Sequence, residues 1–384
     1  MKDDTFKIML VSRNLPPLTG GMEQLVFNLW KGLRTRFSIT VIGPKGCSDC
    51  LSDTESLEAP LKPTPLFVFA AFILGLFSSV KKGKPDCYLG GSGLVAPVVV
   101  TLSWLFSARS VVLIHGLDIV ANNSVYQTLF LPFIRKCDLL IANSDNTRKL
   151  AIQAGVAPER ITVINPGVQI PHVSIPSDAA KRTLNLTGKA LLLSVGRLVP
   201  RKGISEFIDR CMPDLVGHIP DIHLAIVGEE PLQALNKNRY SEKNKIGQIV
   251  KQRGLKAHVS LYGKVSDEEL DDLYSAADVF IFPLIDTPGD VEGFGMVALE
   301  AAAHNVPTVA FNVGGVSDAI SQESGILVTP LDYDQFSSRI QELLAGIKKH
   351  DCLKFARQST WESYHAKSID AINTLINKQD RKPS

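Results

Sequence analysis

The chain has 384 residues, 45% of them hydrophobic, and a formal net charge of +2 at pH 7. A chain of this length usually folds around more than one hydrophobic core, so we expect two domains. The composition excludes a largely disordered chain. The near-neutral charge argues against general nucleic-acid binding. Residues 1–175, however, hold 17 Lys and Arg against 12 Asp and Glu. This basic half suits an anionic partner or membrane surface, although ordinary surfaces also reach such a charge.

The first half of the sequence alternates strand-like and helix-like segments, which predicts a doubly wound α/β domain with a parallel sheet. The predicted strands are 6–12, 38–42, 86–89, 110–114, 138–142 and 161–164. The predicted helices are 22–33, 66–80, 94–106, one around 126–134, and one from a Ser144 cap to Ala154.

A nearly continuous apolar run extends from Pro65 to Val80 and is followed by Lys81, Lys82 and Lys84. It is shorter than the ~18–20 residues that a spanning helix needs. We therefore expect a partly buried helix that also contacts a membrane interface, with lysines at the headgroups. The opening residues Met1–Asp4 are polar and acidic, so we expect no signal peptide.

Six cysteines are scattered along the chain, which is typical of a reducing compartment rather than a disulfide scaffold. Cys47 and Cys50 form a lone C-x-x-C. A zinc site would need two further ligands, so we expect no metal there.

A proline-rich stretch, Pro166 to Ser177, marks the linker. Strand and helix alternation then restarts and predicts a second Rossmann-like unit. Its predicted strands are 190–195, 223–227, 258–262, 278–282, 308–311 and 325–328. A last helix is predicted over 361–376, and the periodicity does not fix where it packs.

Candidate ligand residues follow strands, because ligands of such sheets bind beyond the carboxyl ends of the strands. In the first half, Gly20 and Gly21 open a helix, where a phosphate or sugar can approach closely. A plain glycine turn is the alternative, and no G-x-G-x-x-G occurs there. His115 follows the strand 110–114, although a lone histidine is more often structural.

In the second half, Gly196-Arg197 and Arg201-Lys202-Gly203 follow the strand 190–195. A guanidinium fork and an ammonium suit a diphosphate, although Arg201 is equally compatible with a solvated position. Gly228-Glu229-Glu230-Pro231 follow the next strand, and Gly263-Lys264-Val265 follow another. The backbone at Val265 is placed to hold a nucleobase.

The stretch Asp286 to Glu300 joins a strand that ends at Pro283 to a helix over 296–303. Gly293 and Gly295 allow backbone N–H groups to approach a ligand at the helix N-terminus. Glu292 and Glu300 are placed to accept hydrogen bonds from sugar hydroxyls. The alternative is an ordinary strand-to-helix loop with a solvated Glu292.

Taken together, these motifs resemble those of the retaining GT-B glycosyltransferases called glycosyl transferases group 1, or family 4. The resemblance covers nearly the whole chain, and its most specific part is the Arg/Lys pair followed by Glu-x7-Glu. The residues that carry it are Gly20-Gly21, His115-Gly116, Val195–Arg197, Lys202-Gly203, Ile226–Gly228, Tyr262–Val265, Ala277–Pro283, Glu292–Gly295, Glu300, Val306–Ala310 and Gly314-Gly315.

The resemblance implies an α/β GT-B fold with two Rossmann-like domains facing a cleft. The implied domains are 1–170 on the acceptor side, 171–355 for the nucleotide-sugar, and a helix 356–384 that packs back on the first domain. It also implies a same-face reaction in which the departing phosphate helps to deprotonate the acceptor.

Roles follow residue by residue from the resemblance. Arg197 and Lys202 would bind the diphosphate, Glu300 the ribose and Glu292 the donor-sugar hydroxyls. Backbone amides at Gly293, Phe294 and Gly295 would touch the sugar or phosphate, and Val265 would flank the base. Gly20 and Gly21 would line the diphosphate and acceptor side, and His115 would contact the donor sugar.

Two departures from the family pattern stand out. Asp318 replaces the Glu that relatives often have after Gly314-Gly315. Asp332-Tyr333-Asp334 matches a D-x-D metal pattern, but it begins a late helix, so we interpret it as a helix cap. The resemblance implies that no metal and no other cofactor is needed.

We therefore expect a hexosyltransferase that moves a sugar from a GDP- or UDP-sugar to a lipid-linked or polysaccharide acceptor. The expected pathway is lipopolysaccharide or exopolysaccharide assembly, with the protein cytoplasmic and peripheral at the inner face of the plasma membrane. The alternatives are a nucleotide-sugar epimerase, a transferase with a soluble glucan- or sucrose-type acceptor, and a non-catalytic assembly partner.

Overall fold

The structure is a computed structural model that describes residues 5–121, 123–171, 175–230, 241–347 and 350–378. Three predicted features lie outside these ranges: the polar start at residues 1–4, the middle of the linker at 172–174, and Pro231. By its internal contacts the chain divides into two compact units. Unit 1 comprises Met1–Gly167, Gly289–Phe294 and Trp361–Ser384, and unit 2 comprises Val168–Pro288 and Gly295–Thr360.

Unit 1 is built on a seven-stranded parallel sheet in the order β3-β2-β1-β4-β5-β6-β7. The strands are β1 (Lys7–Val11), β2 (Ser38–Pro44), β3 (Glu55–Ala59), β4 (Cys87–Gly90), β5 (Arg109–Ile114), β6 (Leu139–Ala142) and β7 (Ile161–Val163). The helices are α1 (Gly21–Leu33), α2 (Thr64–Lys82), α3 (Ala96–Phe106), α4 (Leu117–Val120), α5 (Ser124–Leu129), α6 (Leu131–Ile134) and α7 (Asp145–Gln153).

The sheet of unit 1 has nearly continuous apolar strands because helices cover both of its faces. The larger core on one face joins α2, α3 and α6 to the sheet through residues such as Met9, Phe67, Leu102 and Ile134. The C-terminal helix packs against α1 elsewhere in the unit. A Cβ on Gly32 would lie 2.5 Å from Cγ of His365, so only glycine permits this approach.

Unit 2 is built on a six-stranded parallel sheet in the order β10-β9-β8-β11-β12-β13. The strands are β8 (Ala190–Val195), β9 (Ile222–Val227), β10 (Val259–Gly263), β11 (Val279–Phe282), β12 (Thr308–Phe311) and β13 (Gly325–Val328). The helices are α8 (Ser177–Thr183), α9 (Ile204–Arg210), α10 (Met212–His218), α11 (Glu242–Gln252), α12 (Asp267–Ala276), α13 (Met296–Ala303), α14 (Val316–Ala319), α15 (Tyr333–Leu344) and α16 (Cys352–Gln358). The C-terminal helix of unit 1 is α17 (Trp361–Asn377).

The predicted α/β class with two parallel-sheet units is confirmed. By their contacts, the units are divided after residues 167 and 360, and residues 289–294 belong to unit 1. The predicted domain boundaries are 170/171 and 355/356. Those boundaries remain a prediction about folding domains.

Individual elements differ from prediction in two places. The edge strand β3 was missed. The apolar helix α2 spans 19 residues, longer than the run used to predict it, and so the expectation that it is too short to cross a membrane was wrong. Among the helices of the described residues, α2 alone is long and apolar enough to do so by length and composition.

Candidate active site

The strand order of unit 2 reverses beside β8, which pairs with β9 on one side and β11 on the other. The chain therefore leaves β8 and β11 in opposite directions, and a crevice opens between their carboxyl ends. Arg197 and Lys202 follow β8, and the segment leading to Glu300 follows β11. Three of the predicted site residues thus follow the two strands that flank this switch point.

The loop after β8 holds two cations in different ways. Arg197 is exposed, whereas Lys202 is partly buried, with its Nζ 4.6 Å from the centre of the Phe282 ring at the end of β11. Arg197, Lys202 and Phe282 line one narrow crevice. Arg201 is only 8% exposed, so the alternative that it is solvated was wrong.

Two glycines let these loops approach one another more closely than a side chain would allow. Gly203 has φ +66, and a Cβ there would lie 1.9 Å from the Pro283 carbonyl oxygen. Gly228 has φ +132, and a Cβ there would lie 1.9 Å from the Gly196 carbonyl oxygen. The loops after β8, β9 and β11 are therefore fixed against each other, which holds the cation loop in place.

Glu300 lies on α13 and is held by a buried tyrosine of α12. Tyr274 is 1% exposed and donates its hydroxyl to Oε2 of Glu300 at 2.9 Å. Its ring stacks on His304 at 4.9 Å, and Nδ1 of His304 lies 2.9 Å from the Glu300 carbonyl oxygen. The Glu300 carboxylate is thereby held by Tyr274, and the Glu300 backbone carbonyl is held by His304.

The pKa of Glu300 is raised above its ordinary value, mainly because burial disfavours the carboxylate, with the charge of Asp271 adding to the effect. The hydrogen bond from Tyr274 opposes this rise. The pKa of the Tyr274 hydroxyl is also raised, first by burial and then by the neighbouring Glu300 charge. A partly buried carboxylate with one acceptor oxygen engaged is suited to receive hydroxyl donors from a ligand.

The N-terminus of α13 is formed by Gly295, whose φ is +98. A Cβ there would lie 2.8 Å from Cε1 of Phe282, so glycine is needed to bring the helix start beside β11. No acidic residue occupies the first turn of α13. Its amides are therefore placed to favour an anion at the same strand end as Lys202.

The strand order of unit 1 reverses between β1 and β4, and glycines again lie at that point. A Cβ on Gly91, just after β4, would lie 2.3 Å from Oγ of Ser12, just after β1. His115 is 6% exposed, and its Nε2 lies 2.8 Å from the Gly91 carbonyl oxygen. Its backbone N–H donates to Oδ2 of Asp118 at 2.9 Å, so Asp118 closes the turn after β5.

Gly293 belongs to unit 1 and lies against the same loop. A Cβ there would lie 2.3 Å from the His115 carbonyl oxygen and 2.6 Å from Nδ2 of Asn143. Oδ1 of Asn143 accepts a hydrogen bond from the Thr147 hydroxyl at 2.8 Å. Glu292, one residue earlier, is partly buried, and Phe294 is 3% exposed. Because the Phe294 side chain is in the core, only its backbone is available to a ligand.

Gly20 and Gly21 are exposed at the start of α1, but a carboxylate lies over them. A Cβ on Gly20 would lie 2.5 Å from Oε2 of Glu23, and Oε1 of Glu23 accepts from Nδ2 of Asn14 at 2.8 Å. This carboxylate would repel a phosphate and accept a hydroxyl. The geometry therefore favours the acceptor side of the predicted role over the diphosphate.

The family models match both halves of the chain. The model for Glycosyltransferase Family 4 matches residues 19–170, and the model for Glycosyl transferases group 1 matches residues 177–359. The chain is a group 1 glycosyltransferase with the GT-B fold. It is therefore an enzyme, as the sequence motifs predicted.

Individual relatives of this glycosyltransferase differ in substrate. It is 28% identical to a GDP-mannose-dependent alpha-(1-6)-phosphatidylinositol monomannoside mannosyltransferase of Mycolicibacterium smegmatis, over 89% of this chain and 90% of that one. It is 30% identical to a mannosylfructose-phosphate synthase of Agrobacterium fabrum over 62% of this chain, which spans about half of that relative (51%). The solved structure of Anabaena Alr3699/HepE in complex with UDP shares its fold, with a TM-score of 0.78 and 19% identity over 96% of this chain and 100% of that one.

Within the glycosyltransferase, the structure groups the predicted site residues by unit. Arg197 and Lys202 follow β8 and Gly295 and Glu300 follow β11 at the switch point, whereas partly buried Val265 follows β10 on the far side of β9. Gly293 and His115 are in contact in unit 1. The ligand roles of all these residues remain predictions.

The D-x-D match is a helix cap in the structure. Oδ1 of Asp332 accepts from the Gln335 N–H at 3.0 Å at the start of α15, as predicted. Within the described ranges no cluster of three or more His, Cys, Asp or Glu is placed to hold a metal ion.

Two residues that support the site were not found from the sequence. Tyr274 and Asn143 each act through another residue, Tyr274 on Glu300 and Asn143 beside Gly293. Asn143 directly follows β6, and its position at a strand end could have identified it from the sequence. Tyr274 lies inside a helix and carries no such signal.

Replacing Tyr274 with phenylalanine is expected to raise KM for the sugar donor about three- to tenfold, since a hydrogen bond to a charged group contributes about 1.5–3 kcal/mol and only part of it acts on the ligand. Because the hydroxyl lowers the pKa of Glu300, its loss should also move the acid limb of donor binding to higher pH. Steady-state kinetics across pH measure both effects. Tyr333→Phe, in the same unit but outside the site, is the matched control. A KM and pH profile equal to wild type would remove Tyr274 from the site.

Proposed function

We propose that this enzyme is a retaining hexosyltransferase that moves a sugar from a GDP- or UDP-sugar to a lipid-linked glycan in cell-surface glycan assembly. One observation carries the proposal: two cations follow β8, and a helix N-terminus and an oriented carboxylate follow β11, the two strands that flank the switch point of unit 2. This set matches the charge and hydroxyl pattern of a nucleoside diphosphate.

The reaction breaks the bond between the sugar C1 and the diphosphate oxygen and forms a bond from C1 to an acceptor hydroxyl oxygen. Negative charge grows on the leaving diphosphate while the sugar becomes oxocarbenium-like. Lys202, Arg197 and the α13 amides stabilise that charge from fixed positions. The acceptor proton passes to the departing phosphate oxygen, so the mechanism needs no carboxylate nucleophile.

The remaining roles orient the donor. Glu300, held by Tyr274, accepts hydrogen bonds from the ribose hydroxyls, and Val265 flanks the base. Glu292 accepts from the sugar hydroxyls, and His115, which contacts the neighbouring Gly293, touches the donor sugar. Because Nε2 of His115 already bonds Gly91, we assign its contact to Nδ1 or to the backbone.

The acceptor and location rest on indirect support. The Mycolicibacterium smegmatis relative, of which this chain covers 90%, is named for a phosphatidylinositol acceptor and for GDP-mannose. The basic first half and the apolar helix α2 suit a lipid substrate. We propose that the enzyme acts as a cytoplasmic protein at the inner face of the plasma membrane and needs no metal or other cofactor.

A thermal-shift panel tests the donor site. We expect UDP or GDP, alone or as a sugar conjugate, to raise the Tm, because a ligand at 100 times its Kd stabilises the folded state by about 2.7 kcal/mol. ADP serves as the third nucleotide, and each is measured with and without magnesium. The variant Lys202→Ala should lose the shift, while Lys251→Ala, an exposed lysine at the end of α11, should keep it.

Two outcomes would contradict the proposal. No shift with any nucleotide would remove the donor site, and an equal shift in Lys202→Ala would place it elsewhere. A shift that appears only with magnesium would overturn the metal-free part alone.

A further inference from the structure

The helix α2 exposes several large apolar side chains. Phe69, Phe77 and Val80 are 63%, 68% and 72% exposed, and Leu66 is 43% exposed. With partly buried Ile73, they are spaced three or four residues apart and form one stripe along the helix. A helix that covers a sheet in water normally turns such a stripe inward and presents polar residues to solvent.

The opposite face of α2 is packed and cannot exchange with this stripe. It consists mainly of small residues, and a Cβ on Gly75 would lie 2.6 Å from Cδ1 of Leu102 on α3. Oγ of Ser79 lies 2.6 Å from the Tyr88 hydroxyl in β4, and Phe67 is fully buried. The rotation of α2 is therefore fixed by close contacts, and the apolar stripe is held outward.

The neighbouring helix α3 extends the exposed apolar surface. Trp104 and Leu105, in its last turn, are 56% and 59% exposed. Both α2 and α3 end where the chain enters the next parallel strand, so their C-terminal turns lie at the same edge of the sheet. Phe133 packs 6.4 Å from the Trp104 ring, and Nζ of Lys136 lies 5.2 Å from it.

The segment that carries α2 is basic. Residues 60–85 contain four lysines and no Asp or Glu. Lys81 and Lys84 are exposed at the end of α2. Lys82 pairs with Glu55, and so it contributes less. Aromatic side chains beside flexible lysines are typical of a membrane interface, where rings lie at the headgroups and ammonium groups reach lipid phosphates.

We propose that this surface, the α2–α3 face, docks on an anionic lipid bilayer. The face is defined by Leu66, Phe69, Phe77, Val80, Trp104 and Leu105. Its apolar side chains enter the headgroup boundary while Lys81, Lys84 and Lys136 contact anionic headgroups. The inference adds a surface and a lipid charge to the proposed function, and it stands without any particular donor or acceptor.

A second copy of the chain is a weaker occupant of the face. A two-fold contact places the same patch on both subunits, so the lysines of one copy would lie near those of the other. Like charges brought together in this way oppose association. An anionic bilayer instead complements both the apolar stripe and its basic surround.

Co-sedimentation of the full chain with vesicles tests the proposal. We expect binding to vesicles of equal parts phosphatidylcholine and phosphatidylglycerol, weaker binding to phosphatidylcholine alone, and a decrease with added salt. The triple variant Phe69→Gln/Phe77→Gln/Trp104→Gln should bind at least about tenfold more weakly, since each ring contributes apolar burial. Ile347→Gln, 74% exposed in unit 2, is the matched control and should bind as wild type does.

The charge is tested separately with Lys81→Gln/Lys84→Gln, which should weaken binding to the anionic vesicles about tenfold and change binding to phosphatidylcholine little. Absence of vesicle binding by the wild type, or equal binding by the triple variant, would overturn the proposal. So would a dimer in gel filtration that the triple variant dissociates. Nucleotide thermal shifts on the same variants test the donor site separately from the membrane-docking face. Vesicle binding without a nucleotide shift would contradict only the proposed donor site.

Discussion

Replacing Lys202 with alanine is expected to lower kcat for sugar transfer about 10²–10³-fold, the usual effect of removing one group that stabilises transition-state charge. The ammonium lies in the crevice shared with Arg197 and Phe282, at the strand end where the diphosphate is proposed to bind. Arg197 and the α13 amides remain in the variant, so residual activity should be measurable. Initial rates with excess donor and acceptor give kcat directly.

The structure of the Lys202→Ala variant should be almost unchanged. The side chain is partly buried, and its cation–π contact with the Phe282 ring contributes only about 0.5–1 kcal/mol. Lys251→Ala removes an exposed lysine of the same unit and should leave both kcat and Tm unchanged. A Lys202→Ala enzyme with full kcat would show that the diphosphate binds elsewhere.

The variant Lys202→Arg separates the effect of the positive charge from the effect of its position. A guanidinium keeps the positive charge but is larger and planar, and the crevice around Gly196 and Phe282 is narrow. A Cβ on Gly196 would already lie 3.4 Å from Cε of Lys202. We expect Lys202→Arg to recover only part of the activity that alanine loses. Full recovery would mean that charge alone, rather than its position, serves the reaction.

The site could be predicted largely because its residues follow strands. Arg197 and Lys202 come directly after a continuous apolar run, and parallel strands bring their carboxyl ends to one edge. The strand order that makes β8 and β11 neighbours was not readable from the sequence. Tyr274 was missed for the same reason, since 26 residues and a change of helix separate it from Glu300.

Burial explains the errors in the fold. The edge strand β3 has exposed glutamates at its first and fourth positions, and they interrupt the apolar pattern that marks a central strand. In α2 the composition predicted the helix but not its orientation. Which stripe faces outward depends on Gly75 fitting against Leu102 and on the Ser79–Tyr88 contact, and both contacts join α2 to other elements of the unit.

The variant Glu300→Gln is expected to be more stable than the wild type at neutral pH and about 10–100-fold less active in kcat/KM. The side chains have the same shape, and the amide oxygen can still accept from the Tyr274 hydroxyl. Hydrogen bonds to a charged acceptor contribute about 1.5–3 kcal/mol, against about 0.5–1.5 for a neutral one, so two ribose hydroxyls lose affinity together. Donor titration and steady-state rates measure the loss.

The expected gain in stability follows from the direction in which folding shifts the pKa of Glu300. Because the folded-state pKa lies above the ordinary value of 4.5, the ionised carboxylate is less favourable in the folded chain than in the unfolded one. This penalty is absent at low pH, grows as the pH rises through 4.5, and is complete above the folded-state pKa. The amount by which the Tm of Glu300→Gln exceeds that of the wild type should therefore increase from acidic to neutral pH.

The matched control is Glu268→Gln, which neutralises an exposed carboxylate in the first turn of α12 and should leave the rate unchanged and lower the Tm only slightly. A Glu300→Gln variant that is less stable at neutral pH would mean that the carboxylate has favourable partners beyond Tyr274. Retained activity would mean that it does not hold the ribose. If both expected effects occur together, Glu300 is a charge kept at a cost to the fold, and its free energy is recovered only when donor hydroxyls bind it.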